Sequence, residues 1–75
     1  MDRKKILVKT FGARLKHWRE KLGMSRGELE FEADLGEAMI GHYERGSRSP
    51  TLYTLEKILD GLNVTPAEFF SEDIE

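Results

Sequence analysis

The sequence predicts an all-α protein: a compact domain of five short helices around one core. Three observations predict it. Apolar residues recur at helical spacing, as in Phe11, Leu15, Trp18 and Leu22 or Leu52, Leu55, Ile58, Leu59 and Leu62. No segment alternates with the period of a strand. Residues that cap or break helices, among them Gly23, Ser25, Gly36, Gly46, Pro50, Asn63 and Thr65, separate the apolar runs. Seventy-five residues leave room for one small domain.

Residues 1–9 form a basic lead around the brief Ile6-Leu7-Val8 patch, either a mobile arm or the first turn of a longer helix. Thr10 is the expected N-cap of the first helix and Gly23 its C′ residue. Trp18 is expected to fill the space between that helix and the last two. Ser25 caps a second helix, which turns Leu29 and Ala33 at i, i+4 toward the core. Asp34-Leu35-Gly36 breaks it. Gly36 is the expected N-cap of a third helix with Ile40 and Tyr43 inward and Glu37, Ala38, Gly41 and His42 outward.

Gly46-Ser47-Arg48-Ser49-Pro50 reads as a polar loop, and Thr51 opens a fourth helix whose apolar face is Leu52, Leu55, Ile58, Leu59 and Leu62. After a bend at Asn63-Val64, Thr65-Pro66-Ala67-Glu68 starts a fifth helix: Thr65 caps, proline suits the first helical position, and Glu68 returns a bond to the Thr65 amide. That helix ends near Phe70. The domain therefore spans 10–70 and is followed by an acidic tail, 71–75. Its expected core is Phe11, Leu15, Trp18, Leu29, Ala33, Leu35, Ile40, Leu55, Ile58, Leu59, Leu62, Val64 and Phe69.

Composition removes several function classes. Without cysteine there is no disulfide framework or thiolate metal site, and His17 and His42 are too few for a zinc centre; no metal or other cofactor is expected. The apolar run at Ile6–Val8 is too short for a signal-peptide core, and no stretch reaches membrane-spanning length, so a cytoplasmic protein is expected. No nucleophile set or phosphate loop marks an enzyme. The net charge of −2 hides a polarised chain: residues 1–26 hold nine Lys/Arg against Asp2 and Glu20, and residues 27–44 hold six acids and no base. A duplex responds to the local face within about 10 Å, so the overall acidity does not decide against nucleic acid.

A helix of about eight residues, a three-residue turn with apolar Leu35 at its centre and a second short helix make a helix-turn-helix unit from Ser25 to Gly46. From Phe11 to Phe70 the chain resembles the Cro/CI-type (XRE-like) family of bacterial and phage repressors. The residues that carry the resemblance are Gly12, Leu15, the run Arg19 to Ser25, Leu29, Ile40, Tyr43-Glu44-Arg45-Gly46, Pro50, Leu55, Ile58, Leu62, Val64 and Phe69-Phe70.

The resemblance implies the lambda-repressor-like five-helix fold and a transcriptional regulator of double-stranded DNA. Such a protein acts as a repressor, a homodimer on a palindromic operator with the third helix in the major groove. It implies a structural ion pair between Arg19 and Glu44, phosphate contacts from Arg26, Arg45, Ser47, Arg48 and Ser49, and base reading by Glu37, Ala38, Gly41 and His42, with Met39 near the groove. Dimer contacts would come from the exposed members of Leu62, Val64, Phe69 and Phe70. The chain departs from the family at Glu30, where a small residue is usual, so that this carboxylate turns to solvent or finds a partner. Acidic residues on the second helix support a different reading, a module of the same fold that binds a basic protein partner, antitoxin-like, with weak or no DNA binding.

Overall fold

Five helices follow one another: α1 (Arg3–Lys21), α2 (Arg26–Glu32), α3 (Met39–Arg45), α4 (Leu52–Leu62) and α5 (Pro66–Ser71). The structure, a computed structural model, describes residues 3–71, with side chains from residue 6 onward, and no strand occurs among them. The acidic stretch 72–75 lies outside the described residues. Helix α1 packs on α3 and α5, while α2 packs on α3 and α4. α3 is thereby held between two neighbours with one side left open.

Three of the expected caps form. Ser25 Oγ accepts the Glu28 N–H while Glu28 Oε1 accepts the Ser25 N–H, a reciprocal pair at the start of α2. Thr51 Oγ1 accepts the Thr54 N–H to open α4. Thr65 and Glu68 make the reciprocal pair at α5, with Pro66 as its first residue. At the end of α1, Gly23 takes φ +71°. The Gly23 N–H reaches the Glu20 carbonyl and the Met24 N–H the Arg19 carbonyl, which satisfies two carbonyls that the helix end would leave open.

Thr10 does not cap α1. The helix runs through it from Arg3, so the basic lead is helical from that residue onward. No residue in Lys4–Lys9 is a glycine or proline, and joining an existing helix adds one hydrogen bond per residue without a new nucleus.

Phe11, Leu15, Trp18, Leu29, Ala33, Ile40, Tyr43, Ile58, Leu59, Leu62 and Phe69 form the core, with Met24, Leu35, Met39, Leu55 and Val64 packed against it. Leu22 and Leu52, which keep the helical spacing but stand outside the expected core, are 45% and 83% exposed, each at a helix end. Trp18 meets α5: its Nε1 donates to the Phe69 carbonyl at 3.2 Å, and Arg14 Nη1 donates to the same oxygen at 2.9 Å. A carbonyl in the last turn of a helix has no partner within the helix, and here α1 supplies two.

Candidate nucleic-acid interface

The reading helix α3 is fixed to α1 by a close approach and an ion pair. At Gly12 a Cβ would stand 2.5 Å from the Tyr43 carbonyl oxygen and 2.8 Å from that of Glu44, so only glycine lets the two helices come this near. About two turns further along α1, Arg19 Nε donates to Glu44 Oε2 at 2.6 Å and Arg19 Nη2 to Glu44 Oε1 at 3.3 Å. Arg19 Nη1 donates to the Met24 carbonyl at 2.8 Å. The side chains are 10% and 2% exposed, which makes this a buried pair with its donors satisfied. Hydrogen bonding to Glu44 holds the Arg19 guanidinium still more firmly in its charged form, against the opposing effect of burial.

Arg26 joins this pair. Its Nε donates to Glu44 Oε1 at 3.1 Å, while half of the side chain remains exposed. A residue read as a phosphate contact thus also ties the start of α2 to the end of α3. Glu44 is the common acceptor of two helices.

The start of α3 departs from the sequence reading. Gly36 is not the N-cap; the helix begins at Met39, and Ala38 occupies the cap position with φ 69° and ψ 0° and no side-chain bond to the helix. The Met39 N–H reaches back to the Gly36 carbonyl at 3.3 Å. Glu37 and Ala38 are therefore exposed on a turn that precedes the helix. The missing cap comes from α2: Glu30, 8% exposed, accepts the Ile40 N–H on Oε2 at 3.0 Å. This is the partner that the departure at Glu30 demanded.

On the open side of α3 the cations lie along the helix. Gly41, expected to face outward, is buried beneath Arg45, whose Nη1 sits 3.0 Å from where a Gly41 Cβ would be. Arg45 Nη2 stands 3.4 Å from His42 Nδ1, and the half-buried His42 ring is 3.2 Å from Ser47 Oγ. Ser47 donates its hydroxyl to the His42 carbonyl at 3.1 Å. Arg48 Nη1 lies 3.5 Å from Met39 Sδ, which brings that guanidinium back over the first turn of α3. Arg45, Ser47, Arg48 and Ser49 are exposed. Arg45 ends α3 and Arg48 stands in the loop beyond it, and the length of arginine lets both heads fold back along the helix.

Of the four residues named for dimer contact, Leu62 and Phe69 belong to the core at 3% and 0% exposure and have no surface to offer. Val64 is half-buried and Phe70 exposed. An apolar cleft beside Phe70 is lined by Leu7, Val8, Phe11, Ser49, Pro50 and Leu55. Among the described residues no group of histidines and acids is placed to hold a metal, and no helix is long and apolar enough to cross a membrane.

Two seven-residue helices joined by a short turn, the second clamped at both ends and bordered by guanidinium groups, form a helix-turn-helix unit. The family model described as helix-turn-helix matches residues 15–69, and the chain belongs to that family. It is 38% identical over 65 residues to the HTH-type transcriptional regulator SutR of Escherichia coli (strain K12), covering 87% of this chain and 36% of SutR, so that it spans about a third of that relative. It is 41% identical over 66 residues to the control protein C.MunI of a Mycoplasma species, covering 87% of this chain and 88% of that one. A crystal structure of the restriction-modification controller protein C.Esp1396I, a tetramer in complex with its natural 35 base-pair operator, matches with a TM-score of 0.83 and 32% identity, covering 87% of this chain and 86% of that one.

Proposed function

We propose that the protein is a sequence-specific regulator of transcription that binds double-stranded DNA as a homodimer, with α3 in the major groove, and represses by occupying a palindromic operator. One observation carries this reading: Arg45 and Arg48 lie along the side of α3 that holds His42 and Met39, and exposed Glu37 and Ala38 stand on the turn at its head. Arginine heads at that edge neutralise phosphates and supply affinity, together with Arg26, Ser47 and Ser49. Discrimination falls to Glu37 as an acceptor for cytosine N4, Ala38 against a thymine methyl and His42 toward guanine, with Gly41 leaving room for Arg45 to share the groove.

Exposed Leu7 and Phe70 line the apolar cleft with Val8, Pro50 and Leu55, and this is the face we assign to the second protomer. A dimer reading successive major grooves needs its two copies of α3 about 34 Å apart, one turn of the duplex. A second reading, a protein-binding module, has one observation in its favour: Phe31 is 83% exposed on the acidic helix α2.

Selection of bound duplexes from a random pool tests the proposal, followed by titration of the selected duplex with salt. The regulator yields a palindromic consensus and an affinity that falls on a log–log plot with a slope of about −0.9 per neutralised phosphate. Failure to enrich any sequence, with no binding at low salt, would leave the protein-binding module.

A further inference from the structure

We propose that Glu30 is the positioning residue of α3: its buried carboxylate sets where that helix begins and so keeps Glu37 and Ala38 on a turn at the groove-facing edge. The inference rests on the DNA-binding reading above. Three features of the structure support it.

Helix α3 carries no cap of its own, since neither Ala38 nor Gly36 offers a side-chain acceptor. Counting from Ala38 as N-cap, Ile40 is the second helical residue, and an N-cap side chain ordinarily accepts the N–H of the second or third. Glu30 Oε2 sits at that place, 3.0 Å from the Ile40 nitrogen, although it is anchored ten residues upstream on α2. Its carboxylate also lies at the positive end of the α3 backbone dipoles.

The backbone pays for this start at Ala38. Its φ of 69° is left-handed, a region that L side chains other than those of Asn and Asp seldom adopt. Such a conformation persists where its surroundings over-determine it. Here the Gly36–Met39 turn bond holds it on one side and the Glu30–Ile40 bond on the other. Without the carboxylate, Ala38 is free to relax into the right-handed region and α3 to grow backward through Glu37. Each residue added to a helix turns by about 100°, so both side chains would be re-aimed relative to the groove.

The test compares the wild type with Glu30→Ala and Glu30→Gln. The probes are the duplex selected by the wild type, an unselected duplex of equal length, and hydrogen exchange of the Ile40 amide. Glu30→Ala is expected to lose protection at Ile40, to bind the selected duplex about tenfold more weakly, the scale of one misread base pair, and to bind the unselected duplex as the wild type does. Glu30→Gln keeps an acceptor of the same reach and restores most of the selected affinity. Equal loss on both duplexes would reduce Glu30 to a general stabiliser and overturn the proposal, as would an unaltered preference in Glu30→Ala. If Glu30→Ala does not fold, Glu30→Gln decides: wild-type protection at Ile40 with wild-type preference supports the proposal, and lost protection with unaltered preference overturns it. Should the wild type bind neither duplex, the regulator reading fails, while the Ile40 amide still reports separately whether Glu30 sets the start of α3.

Discussion

The two helices of the helix-turn-helix unit have the same length, seven residues each, and begin in opposite ways. Helix α2 is started by its own neighbours, because Ser25 and Glu28 lie three residues apart and satisfy each other's amides. Helix α3 is started by Glu30, a residue of the preceding helix, across a turn that holds Ala38 in a left-handed conformation. Their far ends differ as well: past the end of α2 the fully exposed Asp34 stands 3.9 Å from Lys57, whereas α3 ends on the buried Glu44 side chain, gripped by Arg19 and Arg26. A helix fixed at both ends by other elements cannot shift unless they do, which suits an element whose placement against a partner matters.

The largest test of this contrast is Glu44→Ala. It strands Arg19 in a site 10% exposed and frees the end of α3, and is expected to lower stability by about 3 kcal/mol, read as a drop in the urea midpoint. A loss below about 1 kcal/mol, the level of exposed pairs, would show that the ionic tie does not hold α3. Glu30→Ala comes next, at about 1–3 kcal/mol, since it leaves the buried Ile40 N–H without an acceptor. Ser25→Ala removes half of a solvent-exposed cap and should cost about 1 kcal/mol. If Ser25→Ala proved as costly as Glu30→Ala in thermal unfolding, the distinction between a local and a borrowed start would carry no energetic weight.

Acid sharpens the comparison further. Accepting the Ser25 amide, and then the Ser25 side chain, holds the Glu28 carboxyl below its ordinary value, and Thr65 does the same for Glu68. A carboxyl with a lower pKa folded than unfolded adds stability that is present above the unfolded value, about 4.3, and lost as pH falls through the folded one. Unfolding midpoints measured across that range should therefore decline less steeply for Glu28→Gln and Glu68→Gln than for the wild type. The smallest effect is a gain. Ala38→Gly relieves the left-handed strain at the cost of a looser unfolded chain, a net stabilisation of at most about 1 kcal/mol, visible as a small rise in Tm. A fall in Tm would mean that Ala38 contributes packing outweighing its strain.

Much of the fold was legible because its signals are local. The caps at Ser25, Thr51 and Thr65 and the C′ role of Gly23 depend on residues within five positions of one another, and each formed. The core was legible from helical spacing, and Leu22 and Leu52, left out of it, keep the period at helix ends but stay exposed. Thr10 failed for a related reason: a residue fit to cap does so only if the chain before it is not already helical. The site was read less well. Arg19 and Glu44 were paired through resemblance, but the second role of Arg26 and the fold-back of Arg45 and Arg48 depend on distances that no spacing rule encodes. Glu37 and Ala38 were placed within the helix because α3 was given a start two residues too early, and Gly41 was placed outward without the Arg45 head that covers it.

The amino-acid order by itself determined five helices, their approximate limits and the apolar stripes that join them, since periodicity and capping act over one or two turns. The tertiary structure alone decided where α3 begins and which cations flank it. Those outcomes hang on a carboxylate and three guanidinium groups at the tips of long side chains, and where such tips come to rest depends on what the fold has already placed within their reach.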